Sequence, residues 1–200
     1  MLIAGLTGGL ACGKSFVADA LRNLGAYIIE ADEVGHEVLR AGGEAHDRVV
    51  AEFGAEIVAD NGEIDRPRLA RMVFGNPTAL GKLNAIVHPA VRQRARRRIR
   101  EIANHDSQAV IVYVAAILIE SGGLEDVSKL IVVTCQPEQQ LERALSRPGA
   151  TREAVLARLS HQLPLEEKLA RADYVIDTSG TKDETLRQTK IVFDDLRELA

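Results

Sequence analysis

Tryptophan is absent from this 200-residue chain, aromatic residues make up only 4% of it, and it has just two cysteines, Cys12 and Cys135. Two thiols in separate contexts, a glycine loop and a strand end, cannot form a scaffold of bridges, so reduced cysteines are expected. No apolar run approaches the roughly 18 residues of a membrane span. Positive charge is not in surplus either: the formal net charge is -4, and a protein that coats nucleic acid needs an excess of phosphate-neutralising cations. The amino end, MLIAGLTGG, lacks the basic region of a secretory signal and reads as a first strand. There is no internal repeat, low-complexity tract or polar linker long enough to split the chain into independent domains. The expectation is one cytoplasmic globular unit with no nucleic acid, no membrane and no obligate protein partner.

The hydrophobic content of 46% and charged content of 27% suit such a protein, and 200 residues are enough to bury a sizeable core. Leu2 to Leu6 is an apolar run that ends at Thr7-Gly8-Gly9, a buried strand feeding a tight turn. From Lys14 the pattern turns helical, with Val17, Ala18, Leu21 and Leu24 in register and Gly25 as the stop before a second run, Tyr27 to Ile29. Further strands are expected at Ala109 to Ala115, Leu130 to Thr134 and Tyr174 to Ile176, separated by helix-like segments. That alternation favours a mostly parallel five-stranded sheet covered on both faces. About 75 residues between the second and third strands, punctuated at Asp60-Asn61-Gly62 and Asn76-Pro77, exceed one crossover and read as a helical insert. The expected division is a core of 1–42, 105–145 and 172–200, an insert of about 43–104 and a lid of about 146–171.

Gly8-Gly9-Leu10-Ala11-Cys12-Gly13-Lys14-Ser15 matches G-x-x-x-x-G-K-[ST] between a predicted strand and a predicted helix. The spacing has a chemical reason. Glycines let backbone N–H groups converge on phosphate oxygens, the helix start adds partial positive charge, and Lys14 reaches the terminal phosphates. Gly8, Gly9, Ala11, Cys12, Gly13, Lys14, Ser15 and Phe16 are therefore candidate nucleoside triphosphate contacts, with the Ser15 hydroxyl positioned to hold Mg2+. The fold class that follows is a three-layer α/β/α P-loop NTPase fold with a helical substrate-binding insert and a small lid.

Glu30-Ala31-Asp32 ends the second strand at the same sheet edge as the loop. A carboxylate there can orient a hydroxyl and accept its proton during phosphoryl transfer, the role read for Asp32; the alternative is an N-cap for the helix Glu33 to Leu39. Arg92, Arg94, Arg96, Arg97, Arg98 and Arg100 follow His88-Pro89 on an amphipathic helix, as a solvated face or as a grip on an anionic substrate, with Arg92 beside the expected His88-Pro89 turn the preferred contact. Arg143, Arg147, Arg152 and Arg158 surround the lid, where closing arginines stabilise a phosphoryl group in transit, Arg147 best placed and Arg152 read as surface charge. His36, His46, His105 and His161 have no metal-site spacing. Asp177-Thr178-Ser179-Gly180 fits the D-x-x-G of switch GTPases by coincidence, since no N-K-x-D follows.

Together these residues resemble the dephospho-coenzyme A kinase family over nearly the whole chain. The resemblance rests on the L-T-G-G opening, on Glu30-Ala31-Asp32 where the family usually has D-A-D, and on Phe53-Gly54 with Asp60 to Arg66. It continues through Asn84 to Pro89, Ile117 to Glu120, and Pro164 to Ser179. It implies ATP-dependent phosphorylation of the ribose 3'-hydroxyl of dephospho-coenzyme A, with Mg2+, by a phosphotransferase acting on an alcohol. It further implies Asp32, Lys14 and Arg147 as catalytic residues, Thr7, Asp32, His88 and Arg92 as acceptor contacts, and Arg143 with the nucleotide. Cys12 and Phe16 depart from the small hydroxyl residues usual in the loop, and Ala116 stands where many members have proline. A nucleoside monophosphate kinase or a P-loop regulatory protein would share the loop, the latter without acceptor stimulation.

Overall fold

The computed structural model describes residues 1–123, 127–160 and 162–200; His161 and the side chain of Arg158, both named above, lie outside the described residues. Five β-branched, apolar runs form the strands β1 (Leu2–Gly8), β2 (Tyr27–Glu30), β3 (Val110–Val114), β4 (Lys129–Thr134) and β5 (Tyr174–Asp177). They pair in the order β2-β3-β1-β4-β5, every pairing parallel. Because all strands point the same way, their carboxyl ends share one edge, and β1 opens onto that edge from the centre. The five expected strands are all present and the fold is a three-layer α/β arrangement.

The strands are joined by α1 (Lys14–Leu24), α2 (Ala31–Val38), α3 (His46–Phe53), α4 (Arg66–Val73), α5 (Pro77–His105), α6 (Pro137–Leu145), α7 (Arg152–Ser160), α8 (Leu165–Leu169) and α9 (Lys182–Glu198). One face of the sheet is sealed by α1 and α9. Val17, Ala18 and Leu21 of α1 and Val192, Phe193 and Leu196 of α9 are buried with Leu2, Ala4 and Leu6 of β1 in one cluster. Each fully buried aliphatic side chain there contributes about 1.5–3 kcal/mol. A reciprocal capping box starts α9: Thr181 Oγ1 accepts from Glu184 N at 3.2 Å, and Glu184 Oε2 accepts from Thr181 N at 2.7 Å.

The chain divides into two compact units, Met1–Glu30 with Glu101–Ala200, and Ala31–Arg100. The second unit begins at Ala31, ahead of the insert start expected near residue 43. The reason lies in α2, which packs with α5: Glu37 pairs with Arg94 and Arg98, at 3.2 and 2.8 Å. Within this unit Asp65 caps α4 by accepting from Arg68 N at 2.9 Å, and a tight turn at Asp60–Gly62 closes the bridge between Val58 and Ile64. Asn76 likewise accepts from Ala79 N at 3.1 Å ahead of Pro77. The break expected at His88-Pro89 is not there. Helix α5 runs unbroken through Pro89, because one lost backbone hydrogen bond is outweighed by a buried face, Ile86, Ala90, Val91, Ala95 and Ile99, that continues on both sides of it.

Candidate active site

The loop from Gly8 to Ser15 joins the central strand β1 to α1, and its backbone can be built from few other residues. Gly8 has φ 152°, and a Cβ there would lie 2.2 Å from the Val133 carbonyl oxygen of the neighbouring strand. Gly13 has φ 85°. Between them Ala11 holds φ 59°, a left-handed conformation that costs a non-glycine residue of order 1 kcal/mol and tends to persist at ligand clamps. Helix α1 has no side-chain cap and no acid in its first turn, so its partial positive charge is left for an incoming anion.

Lys14 lies back across this loop, its Nζ donating to the carbonyls of Gly8 at 3.0 Å and Gly9 at 2.8 Å. The Ser15 side chain is exposed. Phe16 carries Lys182 Nζ 5.9 Å from its ring centre, so it anchors α9 beside the start of α1. Thr7 is fully buried and its hydroxyl donates to the Ala116 carbonyl at 3.3 Å. Glu30 is held by Arg22 Nη2 at 3.2 Å.

Residues from three later elements converge on the same loop. Thr178, just past β5, donates from Oγ1 to the Cys12 carbonyl (3.0 Å) or the Thr134 carbonyl (3.1 Å), and accepts from Arg143 Nη1 at 3.1 Å. A second nitrogen of Arg143 donates to the Thr178 carbonyl at 3.0 Å. Gln162 accepts from Leu10 N at 3.1 Å. Leu10 and Ala11 also pack with Ala144 and Val155, so α6 and α7 rest on the loop itself. The exposed Arg147 lines a cavity of about 180 Å³ with Leu10, Pro148, Gly149 and Ala150.

Behind this lies a buried ion pair. Lys168 of α8 has no exposed surface, and its Nζ is 2.8 Å from Glu120 Oε1 and 2.8 Å from the Ala116 carbonyl that Thr7 also uses. Glu120 Oε1 further accepts from Leu163 N at 2.9 Å, while its Oε2 is buried with no partner among the described residues. Burial pulls the Glu120 carboxyl upward, but Lys168 and the backbone donors outweigh it and hold it below the usual carboxylate range.

In the second unit, Asp32 sits in the first turn of α2 with an exposed carboxylate that makes no hydrogen bond or ion pair with any described residue. The helix starts at Ala31, so Asp32 lies inside it rather than capping a helix from Glu33. His88 is half-buried within α5. Burial, then the charge of Arg92, pushes its imidazole below the ordinary histidine range. Arg92 follows one turn later. The neighbouring arginines are engaged: Arg94 reaches Glu44 at 3.0 Å as well as Glu37, and Arg97 reaches Glu44 at 3.4 Å. They serve as internal struts of this unit.

Thr178, Gln162, Lys168 and the packing of Leu10 carry no short-range signature. Thr178 and Lys168 fall within the family-like stretch Pro164 to Ser179, which was the one available pointer to them. No group of three or more His, Cys, Asp or Glu suited to a metal ion occurs among the described residues, and no helix among them is long and apolar enough to cross a membrane.

Residues 2–184 match the family model for dephospho-CoA kinase. The dephospho-CoA kinase of Geobacter metallireducens is 45% identical over 188 residues, covering 94% of this chain and 93% of the relative. The solved dephospho-CoA kinase of Campylobacter jejuni superposes with a TM-score of 0.74 at 26% identity, covering 98% of this chain and 97% of that one. A crystal structure from Thermus thermophilus reaches a TM-score of 0.78 at 32% identity, covering 98% and 97%. With its phosphate loop complete and the match spanning both units, the chain belongs to the dephospho-CoA kinase family.

Proposed function

We propose that this enzyme transfers the γ-phosphoryl group of ATP to the ribose 3'-hydroxyl of dephospho-coenzyme A in the cytoplasm, with Lys14, Asp32 and Arg147 as the reacting-centre residues. The observation that carries the reading is the loop Gly8–Ser15, with Lys14 poised on its carbonyls in a chain of this family. Lys14 exchanges the Gly8 and Gly9 carbonyls for the β- and γ-phosphate oxygens, and loop amides with the α1 start bind the rest of the triphosphate. The acceptor oxygen attacks the γ-phosphorus, the bond to the β–γ bridging oxygen breaks, ADP leaves, and the hydroxyl proton passes to the Asp32 carboxylate.

Support for Asp32 comes from its exposed carboxylate two residues beyond β2, which has no hydrogen-bond or ion-pair partner among the described residues. Arg147 and Arg143 supply positive charge for the nucleotide, in keeping with the Arg147 cavity wall formed by Leu10 and with Arg143 beside the Cys12 carbonyl through Thr178. Thr7, His88 and Arg92 are assigned to the acceptor. Ser15 fits Mg2+: it is an exposed hydroxyl next to Lys14, and this ion is commonly held by one or two protein oxygens plus phosphates and water. When bound, the ion neutralises phosphate charge. No dedicated cage of carboxylates is needed for that.

The test is a coupled assay of ADP release with ATP and a panel of acceptors. Dephospho-coenzyme A should stimulate turnover far above the acceptor-free rate. Turnover with nucleoside monophosphates alone, or nucleotide hydrolysis that no acceptor stimulates, would overturn the reading.

A further inference from the structure

The phosphate loop carries a thiol that phosphoryl transfer does not use. Cys12 is fully buried, Cys135 is the first residue beyond β4 and is 5% exposed, and their sulfurs lie 3.3 Å apart with the Cys135 thiol donating. Both are free, and the chain has no other cysteine, so within the molecule each has a single possible bridging partner. A disulfide bond is about 2.0 Å long. Closing the gap requires the two sulfurs to approach by roughly a further ångström.

That movement falls on a backbone with little slack. Cys12 N donates to the Gly9 carbonyl at 3.3 Å, its own carbonyl accepts from Thr178 at 3.0 Å, and the residues on either side, Ala11 and Gly13, both hold positive φ. Displacing Cys12 therefore turns the amides that face the phosphates. Misplacing such groups by about an ångström costs on the order of a hundredfold in function.

We propose that Cys12 and Cys135 form a covalent modification site, a dithiol that peroxide converts to an intramolecular disulfide, and that the disulfide disables the phosphate loop. The inference rests on the phosphate-loop reading of Gly8–Ser15 and not on the identity of the acceptor. In the first step one sulfur attacks a peroxide oxygen, the O–O bond breaks, and the departing oxygen leaves as water with a thiol proton, giving a sulfenic acid. The second sulfur then attacks the first, the S–O bond breaks, and a second water departs. Two thiols and one hydrogen peroxide become one disulfide and two waters.

Access sets the rate. Burial, then the hydrogen bond from Cys135, pushes the Cys12 thiol up to about 12, so thiolate is scarce while the loop is closed. Oxidation proceeds through local openings of the loop, which ligand-binding segments undergo more readily than the core. The smallest oxidants suit it best, and bound ATP, by holding the loop, slows it.

The full chain is treated with hydrogen peroxide for hours with and without saturating ATP, then run on a denaturing gel without reductant. Joining residues 123 positions apart compacts the denatured chain, so the oxidised species should run ahead, return to the original position with dithiothreitol, and form more slowly when ATP is present. A digest should contain the Cys12 and Cys135 peptides linked. ATP affinity, read by displacement of a fluorescent nucleotide, should fall at least about tenfold on oxidation and recover on reduction. Cys135→Ala should bind ATP like the parent and keep that affinity under peroxide. Absence of a linked species in the parent, an oxidised chain with unchanged ATP affinity, equal crosslinking with ATP, or a Cys135→Ala chain as sensitive as the parent would each overturn the proposal. None of these readouts uses the acceptor, so a failed acceptor assay is distinguishable from a failed crosslink.

Discussion

The Thr178 hydroxyl lies 3.0 Å from the Cys12 carbonyl and 3.1 Å from Arg143 Nη1, so one small side chain ties the middle of the phosphate loop to α6. Its single proton serves one carbonyl at a time while a lone pair accepts from arginine. Thr178→Val keeps the shape, removes the proton, and leaves Cys12 O and Arg143 without that partner. The expected outcome is a KM for ATP raised about tenfold, the equivalent of one buried hydrogen bond, with Thr178→Ser close to the parent. Steady-state kinetics at saturating acceptor decides it, and an unchanged KM in Thr178→Val would reduce the hydroxyl to a strand-end bond.

Lys168 and Glu120 form the most buried charge pair described, with no lysine exposure and a 2.8 Å contact. Lys168→Met strands the Glu120 carboxylate in a site whose burial disfavours it, at a cost of about 3–5 kcal/mol. Adding Glu120→Gln to that variant should recover part of the loss in urea denaturation. The pH dependence has a definite sign. Because the folded Glu120 carboxyl titrates below its ordinary value, the stability it contributes is present above the unfolded value near 4.5 and is lost as pH falls through the folded one. The double variant should be less sensitive to acid than the parent across that window.

What was legible in the sequence was local. Each strand is a short apolar run bounded by turn residues, and the loop motif sits between the first strand and helix, so chain-neighbour information sufficed. The failures come from distance. Arg94 and Arg98 read as a solvated face or a grip on an anionic substrate, but their partner Glu37 is 57 and 61 positions away, and no spacing rule links them. Nothing local to Lys168 points to Glu120 or to Ala116, the latter 52 positions away, on which its ammonium closes. Pro89 reads as a stop because the rule counts the lost hydrogen bond and not the buried stripe that carries α5 past it. The alternative for Asp32, the cap of a helix from Glu33, fails because Ala31 already starts that helix.

His88 gives a second pH signature. Burial and Arg92 make the folded imidazole release its proton below the ordinary 6.5, so between the folded value and 6.5 the unfolded chain binds more protons. Stability therefore rises with pH through that window and levels off above it. His88→Gln should flatten this part of the profile in denaturation series between about pH 5 and pH 8. A slope identical to the parent's would mean the imidazole is as free as in an unfolded chain.

Asp32 and Lys14 separate chemistry from binding. Lys14→Ala removes a preorganised cation from the phosphates and should cost on the order of a hundredfold or more in turnover. Asp32→Asn keeps size and hydrogen-bonding capacity but cannot accept the acceptor's proton, so ATP affinity should stay near that of the parent while phosphoryl transfer drops by on the order of a hundredfold to ten-thousandfold. Nucleotide displacement measures the first quantity and single-turnover transfer the second. The exposed, unpaired carboxylate in the first turn of α2 holds nothing together in the described residues, so a stability defect should not accompany the loss. If Asp32→Asn instead transfers phosphate within a fewfold of the parent, the proton leaves by another route and the carboxylate acts only on the helix start.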